Sequence, residues 1–244
     1  ISNEYNRLNR LIATIVFLVS FIVYYDTMAP TVSYWDCGEF IAVSHTLGVP
    51  HPPGSPFFLL LGRIASMLPI TEDIAFRVNL LSPISSAFAV MFLYLVIVLL
   101  VANWKGGIKN YQDSLVSFGG GVIGSLTFAF TDSHWFNAVE AEVYAFSTFF
   151  TAIVVWLILK WNEKADEIGN ERYILIIAYM IGLATGLHLL NLLAIPFIAL
   201  IIYFKKYEPN WKTFGYTVAI TGIVFFLIHN VIIKGMPKIA DSIG

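Results

Sequence analysis

The residues best suited to chemistry lie between the first two apolar segments of the chain. Asp36 and Glu39 are three positions apart, so on a helix they would share one face. A carboxylate at the centre of a bilayer costs roughly 2.5–3.5 kcal/mol, which favours a water-filled cleft at the membrane surface. A positioned carboxylate can accept the proton of an attacking hydroxyl group. The pattern therefore predicts a reaction between an acceptor hydroxyl and a donor molecule.

Apart from His45 on the predicted helix, three cationic or potentially cationic residues follow Asp36 before the next long apolar segment, namely His51, Arg63 and Arg77. Cations of this kind can hold a phosphate group, so we predict that they bind an anionic donor. Each has an alternative role. His51 could simply belong to a rigid turn, since it precedes a proline. Arg63 could extend to lipid headgroups, and Arg77 could anchor the chain at the interface.

Further along the chain, two short polar segments interrupt the apolar sequence. One contains Glu140 and Glu142, and the other contains His188 and Asn191. We expect both to lie on the same side of the membrane as Asp36, where they could line an acceptor site. The alternatives are a polar turn for the first and a hydrogen-bonded hairpin pair for the second. No spacing specifies metal ligands, although the acidic residues leave a divalent metal open.

Composition defines the class of protein. The chain has 244 residues, of which 58% are hydrophobic and 12% are charged, and its mean hydropathy is +0.76. Soluble domains carry about 25% charged residues, so this is an integral membrane protein. The net charge of −2 gives no reason to expect nucleic-acid binding. The single cysteine excludes an internal disulfide and a multi-cysteine metal site.

The apolar pattern predicts an all-α polytopic membrane protein with about seven transmembrane helices and two interfacial helices in its first outside loop, residues 26–77. The predicted interfacial helices are Asp36–Leu47 and Phe57–Leu68. The second would be roughly 20 Å long against a hydrocarbon core of about 30 Å, so we expect it to lie in the membrane surface. The predicted spans are Leu11–Tyr25, Val78–Ala102, Ser114–Thr131, Val143–Leu159, Tyr173–Leu187, Leu189–Phe204 and Phe214–Ile233.

The basic residues orient these spans. With this topology ten Lys and Arg residues lie on the side of the N-terminus and four on the other side. The positive-inside rule then places the N-terminus in the cytoplasm and the Asp36 loop outside. The apolar run 173–204 must turn back near Gly186, His188 and Asn191 to preserve this asymmetry.

At these residues the sequence resembles the C-type glycosyltransferases, and within them the domain-of-unknown-function family 2723, which includes a eukaryotic protein O-mannosyltransferase. Four stretches carry the resemblance: Tyr34-Trp35-Asp36-Cys37-Gly38-Glu39-Phe40, His51-Pro52-Pro53-Gly54-Ser55-Pro56, Arg77-Val78-Asn79-Leu80-Leu81-Ser82 and Asn137-Ala138-Val139-Glu140-Ala141-Glu142-Val143-Tyr144. One departure concerns Glu39, because related mannosyltransferases have adjacent Asp and Glu, whereas Cys37 and Gly38 separate the acids here.

The resemblance implies a seven-span glycosyltransferase that moves a sugar from a polyprenyl-phosphate donor to an acceptor outside the cytoplasm, with a protein hydroxyl as the expected acceptor. Asp36 would be the general base, with Glu39 beside it, and His51, Arg63 and Arg77 would hold the donor phosphate. The acceptor side would comprise Glu140, Glu142, Tyr144, His188 and Asn191.

We expect the module to occupy residues 1–244 as the N-terminal part of a longer chain. The expected location is a bacterial cytoplasmic membrane, with the site facing the periplasm. Two alternatives stay open from the sequence, a non-catalytic subunit of an envelope or secretion complex and a proton-coupled transporter. A transporter would be expected to place ionisable residues near the middle of its spans.

Overall fold

The computed structural model describes residues 3–243, and every regular element within that range is helical. The α-helices are α1 (Asn3–Asp26), α2 (Cys37–Thr46), α3 (Pro56–Ser66), α4 (Ile74–Asn79), α5 (Leu81–Trp104), α6 (Tyr111–Ala129), α7 (Asp132–Ala138), α8 (Val143–Lys164), α9 (Glu171–Thr185), α10 (Ala194–Lys206), α11 (Trp211–Leu227) and α12 (Gly235–Ile243). A 3₁₀ segment, Leu189–Leu193, precedes α10, and a π-helical segment, Ile228–Ile233, precedes α12. The predicted all-α class is confirmed.

Helix α5 is the centre of the bundle and packs against α1, α6 and α8. Close contact with α6 depends on small residues, as expected for helix packing in membranes. A Cβ atom on Gly121 would come within 2.7 Å of Val98 and 2.9 Å of Tyr94. A Cβ atom on Gly119 or Gly120 would have no neighbour within 4 Å, so of these three adjacent glycines only Gly121 is needed for the close approach.

The first loop contains the two short helices that the sequence predicts, together with a third. Helix α2 corresponds to the predicted Asp36–Leu47, and α3 corresponds to Phe57–Leu68. Helix α3 begins at Pro56 because proline suits the first turn of a helix, where its missing N–H is not needed. The third helix, α4, precedes α5 directly, and Asp73 caps it by accepting a hydrogen bond from the Phe76 amide.

The number of long apolar helices is lower than the seven spans predicted. Within the described residues five are long and apolar enough to cross a membrane, or six if α6 and α7 are counted as one span bent by 70°. The difference lies mainly in α9. Its 15 residues extend only about 22 Å, less than the thickness of a hydrocarbon core of about 30 Å. The hairpin itself forms as predicted, since α9 ends at Thr185 just before His188.

The loops that carry the predicted site residues meet at one end of the bundle. The Ala29 amide donates to the Val139 carbonyl at 2.8 Å, which joins the first loop to the segment before α8. The Phe57 amide donates to the Gly186 carbonyl at 2.9 Å, which joins the first loop to the α9 hairpin. Lysine–carboxylate pairs lie in the loops at the other end, such as Lys105–Asp113 and Lys205–Asp166, both 2.9 Å apart.

This arrangement predicts the accessibility of single introduced cysteines in a Cys37→Ser background. Cysteines at Thr71 and Ser133 should react with a membrane-impermeant maleimide from outside intact cells, because both belong to the end of the bundle that carries Asp36. A cysteine at Gly107 should react only after the membrane is opened. Protection of the Thr71 position in intact cells, combined with labelling at Gly107, would show that the protein has the opposite orientation in the membrane.

Candidate active site

His51 lies between the two acidic residues of the first motif. Its Nδ1 atom is 2.7 Å from Glu39 Oε2, and its backbone amide donates to Glu39 Oε1 at 2.8 Å. Its Nε2 atom is 3.9 Å from Asp36 Oδ2. The turn that begins at His51 and helix α2 are therefore held together by one carboxylate, Glu39.

The electrostatic effect of this contact is mutual. The Glu39 carboxylate raises the pKa of His51 above its ordinary value, and the hydrogen bond from His51 lowers the pKa of Glu39. Nearby Asp36 and Glu142 add to the rise in the pKa of His51. Since all three groups are negative when ionised, the site favours a positively charged imidazole between two carboxylates.

The side chain of Asp36 forms no hydrogen bond within residues 3–243, and His51 is its ion-pair partner at 3.9 Å. Asp36 stands at the N-cap position of α2, where its carbonyl accepts a hydrogen bond from the Phe40 amide at 2.9 Å. Its side chain forms no cap hydrogen bond and remains 56% exposed. The preceding residue, Trp35, is also exposed and adopts a left-handed φ of 59°. Strained backbone conformations of this kind cluster at functional sites.

A second group of ionisable residues is buried beside the first. Cys37, Glu140 and Glu142 are each at most 5% exposed. The Cys37 thiol donates to Glu142 Oε1 at 3.6 Å, and burial raises the pKa of Cys37 to about 12. The Ser33 hydroxyl donates to one oxygen of Glu140, whereas the other oxygen is buried without a partner. These residues form a buried acidic cluster that contacts the first loop.

Glu142 holds its proton more tightly than an ordinary glutamate. Burial raises the pKa of Glu142 to about 7, with further increases from the charges of Asp36 and Glu140, while the Cys37 hydrogen bond acts in the opposite direction. At neutral pH this carboxyl group is therefore divided between its two protonation states, next to the exposed carboxylate of Asp36.

The shift predicts a pH dependence of stability. Between its ordinary pKa of 4.5 and about pH 7, the folded protein holds a proton at Glu142 that the unfolded chain has released. The Glu142 contribution to the free energy of unfolding therefore falls as the pH rises through this window. We expect Glu142→Gln to flatten the decrease in melting temperature between pH 5 and pH 8, measured in mild detergent. Identical pH profiles for the wild type and the variant would contradict this assignment.

Asn79 joins the first loop to the turn that contains Glu140, a role that its local sequence does not indicate. It is fully buried, and its amide group donates to the carbonyls of Ala29 and Thr31, both at 2.9 Å. Its carbonyl oxygen accepts from the Ala141 amide at 3.1 Å. The only indication of a role in the sequence is that Asn79 lies within the motif from Arg77 to Ser82. Nothing in the local pattern predicts its partners, which are 48 and 62 residues away.

The turn from His51 to Pro56 is fixed from the opposite side by the α9 hairpin. The buried Ser55 hydroxyl donates to the Leu187 carbonyl at 2.9 Å. A Cβ atom on Gly186 would come within 3.1 Å of the Phe57 side chain. Gly54, with a φ of 95°, supplies the left-handed conformation that the turn requires. His51 is thus held by long-range contacts on both sides.

The two arginines of the first loop bind the backbone. Arg63 donates to the His45 carbonyl at the end of α2. Arg77 donates to the Leu68 carbonyl at 3.0 Å and, at 3.4 Å, to the carbonyls of Glu72 and Asp73. Among residues 3–243 no ion pair joins either arginine to Asp36 or Glu39. The structure therefore groups His51 with the acids but does not bring the arginines into contact with them.

The remaining predicted residues lie at the hairpin. The rings of Tyr144 and His188 are 5.1 Å apart, and Tyr144 is 45% exposed. Asn191 is buried and fully bonded. Its amide nitrogen donates to Ser147 and to the carbonyls of Ala184 and His188, and its oxygen accepts from Thr151. Tyr144 and His188 can face a ligand, whereas the contacts of Asn191 hold the hairpin together.

Two sets of side chains have the donor atoms for a metal ion. The ligand atoms of Asp36, Glu39 and His51 lie within 4.8 Å of one another, and so do those of the buried set Cys37, Glu140 and Glu142. In the exposed set, however, both oxygens of Glu39 already accept hydrogen bonds from His51. A cation there would have to replace these bonds.

The chain matches known proteins over most of its length. Residues 36–211 match the family described as the N-terminal domain of protein O-mannosyl-transferase TMEM260. A protein O-mannosyl-transferase tmem260 of Dictyostelium discoideum is 31% identical over 213 residues, covering 81% of this chain and 24% of the relative. The mouse protein O-mannosyl-transferase TMEM260 is 29% identical over 149 residues, covering 61% of this chain and 19% of the relative. No solved structure gives a significant match.

The alignments therefore cover about a quarter or less of the length of these curated relatives. The family match begins at Asp36 and includes the whole of both acidic groups, the His51 turn, Asn79 and the α9 hairpin. Because it extends over more than half of the sequence, the chain belongs to the family of the N-terminal domain of protein O-mannosyl-transferase TMEM260.

Proposed function

We propose that this protein is a C-type membrane glycosyltransferase that moves a sugar from a polyprenyl-phosphate donor to a protein hydroxyl on the outer side of its membrane. The observation that carries the proposal is the exposed carboxylate of Asp36, which caps no helix and lies beside a histidine whose positive charge Glu39 favours. Membership of a family named for protein O-mannosyl-transferases supports the same reaction.

In the proposed reaction Asp36 is the general base. The acceptor oxygen attacks the anomeric carbon of the sugar while the bond from that carbon to the phosphate oxygen breaks. The acceptor proton passes to Asp36, and the electron pair of the broken bond leaves with the polyprenyl phosphate. A single displacement of this kind inverts the configuration at the anomeric carbon. Asp36 suits the role because its side chain reaches solvent and has no helix cap to maintain.

His51 is the proposed partner of the donor phosphate. Its Nδ1 atom is bound to Glu39, which leaves Nε2–H, near Asp36, to donate to a phosphate oxygen. Hydrogen bonds between charged groups are about twice as strong as neutral ones. Glu39 would then be a positioning residue for His51. The sequence also suggested Arg63 and Arg77 for the phosphate, but their backbone bonds favour a role in holding the first loop in shape.

The proposed acceptor side is the edge formed by Tyr144 and His188, with Glu142 and Glu140 beneath it. The exposed ring of Tyr144 offers an apolar face to a peptide. Asn191 would act indirectly, by holding the hairpin on which His188 lies. The ionisable residues of the candidate site lie together at one end of the bundle, which favours this reading over a proton-coupled transporter, whose relay would cross the middle of the spans.

We further propose that transfer does not need a divalent metal. In the exposed set the hydrogen bonds from His51 already occupy both oxygens of Glu39 and Nδ1 of His51, and a proton on Glu142 relieves repulsion in the buried set. Transfer should therefore persist in EDTA. Loss of activity in EDTA with recovery on adding Mn²⁺ or Mg²⁺ would overturn this part of the proposal.

The proposal is tested by reconstituting the protein in liposomes with dolichyl- or undecaprenyl-phosphate mannose and a serine- and threonine-containing peptide. The expected result is a mannosylated peptide and free polyprenyl phosphate in equal amounts, formed only when the peptide is on the side of the Asp36 loop. Binding of the lipid donor by folded protein without any transfer would instead indicate a non-catalytic subunit.

A further inference from the structure

A partly polar cavity lies at the other end of the bundle from Asp36. It has a volume of about 220 Å³ and is enclosed by α1, α5 and α8. Its polar lining comprises Asn6, Asn9, Arg10 and Lys160, and Trp156 and apolar side chains of α5 form the rest. Neither the proposed reaction nor the family resemblance uses any of these residues.

The cavity carries an excess of positive charge. Within residues 3–243 the Arg10 guanidinium forms no ion pair and no hydrogen bond, although it lies at the mouth of a partly apolar cavity. Lys160 pairs with Glu163, one turn further along α8, so only one of the two cations has a carboxylate partner within the described residues. Asn9 Oδ1 is buried without a partner. Together these atoms provide two cationic groups for an anion and one acceptor for a hydroxyl group.

The surroundings indicate what kind of anion would bind. The cavity lies near the start of α1 and toward the ends of α5 and α8, and basic pockets between transmembrane helices are known sites for lipid headgroups. Its apolar wall on α5 and the Trp156 ring suit the glycerol and upper acyl region of a lipid, since tryptophan is enriched at this depth. A free phosphate ion would leave that apolar wall without a partner.

We propose that the cavity formed by α1, α5 and α8 binds the phosphate headgroup of an anionic membrane lipid, with Arg10 and Lys160 contacting the phosphate and Asn9 accepting from a headgroup hydroxyl. This inference is independent of the proposed transfer reaction. It assigns the protein a second lipid site, on the membrane face opposite the acidic site.

The test is native mass spectrometry of the protein in a neutral detergent, titrated with phosphatidylglycerol or with phosphatidylcholine of the same acyl length. The wild type should retain phosphatidylglycerol preferentially. A basic residue near a membrane surface contributes about 1 kcal/mol, so Arg10→Ala and Lys160→Ala should each weaken phosphatidylglycerol binding about fivefold.

Matched controls come from the same two helices. Arg7→Ala removes the same charge from α1 at a position outside the cavity. Lys164→Ala breaks a Lys164–Glu167 pair that resembles Lys160–Glu163 on α8. Both control variants should bind phosphatidylglycerol like the wild type, and a melting temperature for each variant checks its folding.

Three results would overturn the proposal. The first is equal retention of both lipids by the wild type. The second is equal weakening by all four substitutions, which would indicate general attraction to a basic surface. The third is displacement of phosphatidylglycerol by millimolar inorganic phosphate, together with phosphate binding in the absence of lipid, which would identify a free-phosphate site. Lys160→Ala alone keeps the test decisive if Arg10→Ala fails to fold.

Discussion

Asp36→Asn should reduce sugar transfer by at least about 100-fold while the protein still folds, inserts and binds its donor. Proton transfer to a positioned base typically contributes roughly 10²–10⁴-fold, and asparagine cannot accept the proton. The side chain of Asp36 makes no cap hydrogen bond and is more than half exposed, so the fold has little dependence on its charge. Initial rates with a polyprenyl-phosphate mannose donor provide the measurement, with a thermal melt of the same sample.

Glu39→Gln is the comparison that separates catalysis from loop structure. Glutamine keeps most of the shape but loses the charge that raises the pKa of His51. We expect a smaller loss of transfer activity than for Asp36→Asn, with a weaker apparent affinity for the donor. As the pH is raised, the variant should also lose donor binding at a lower pH than the wild type. Near-normal transfer by the Asp36→Asn protein would contradict the assignment of Asp36 as the general base. Parallel losses of activity and melting temperature in that variant would indicate that Asp36 has a structural role.

Of the substitutions proposed here for the described residues, Asn79→Ala should lower the free energy of unfolding most. The substitution removes three hydrogen bonds and leaves the buried Ala141 amide without a partner, while the Ala29 and Thr31 carbonyls become partly hydrated. An unsatisfied buried polar group costs about 1–3 kcal/mol, so we expect a loss of roughly 2–3 kcal/mol. Because Asn79 holds the first loop against the Glu140 turn, transfer activity should fall with it.

Asn137→Ala is the matched control, since the Asn137 amide donates only to the Ser133 carbonyl within its own helix. It should change the melting temperature little. Asn79→Asp provides an intermediate case, because aspartate can still accept from the Ala141 amide but cannot donate to the two carbonyls. If Asn79→Ala and Asn137→Ala melt at the same temperature, Asn79 does not hold these loops together.

Much of this protein follows from local sequence patterns. Hydropathy alone gives an integral membrane protein made of helices. Proline and residue spacing locate α2 and α3, and the break at His188 follows from the length of one apolar run. Asp36 and Glu39 stand out because carboxylates are costly near lipid. These inferences succeed because burial in lipid and helix initiation depend on neighbouring residues.

Only the tertiary structure decides which polar residues meet. It pairs Glu39 with His51, it buries Glu142 against Cys37 across 105 residues of sequence, and it places Asn79 between two distant loops. It also directs Arg63 and Arg77 to backbone carbonyls. Such contacts depend on how whole helices pack, and a carboxylate or an arginine has the same sequence signature whether its partner is a substrate, a neighbouring loop or water.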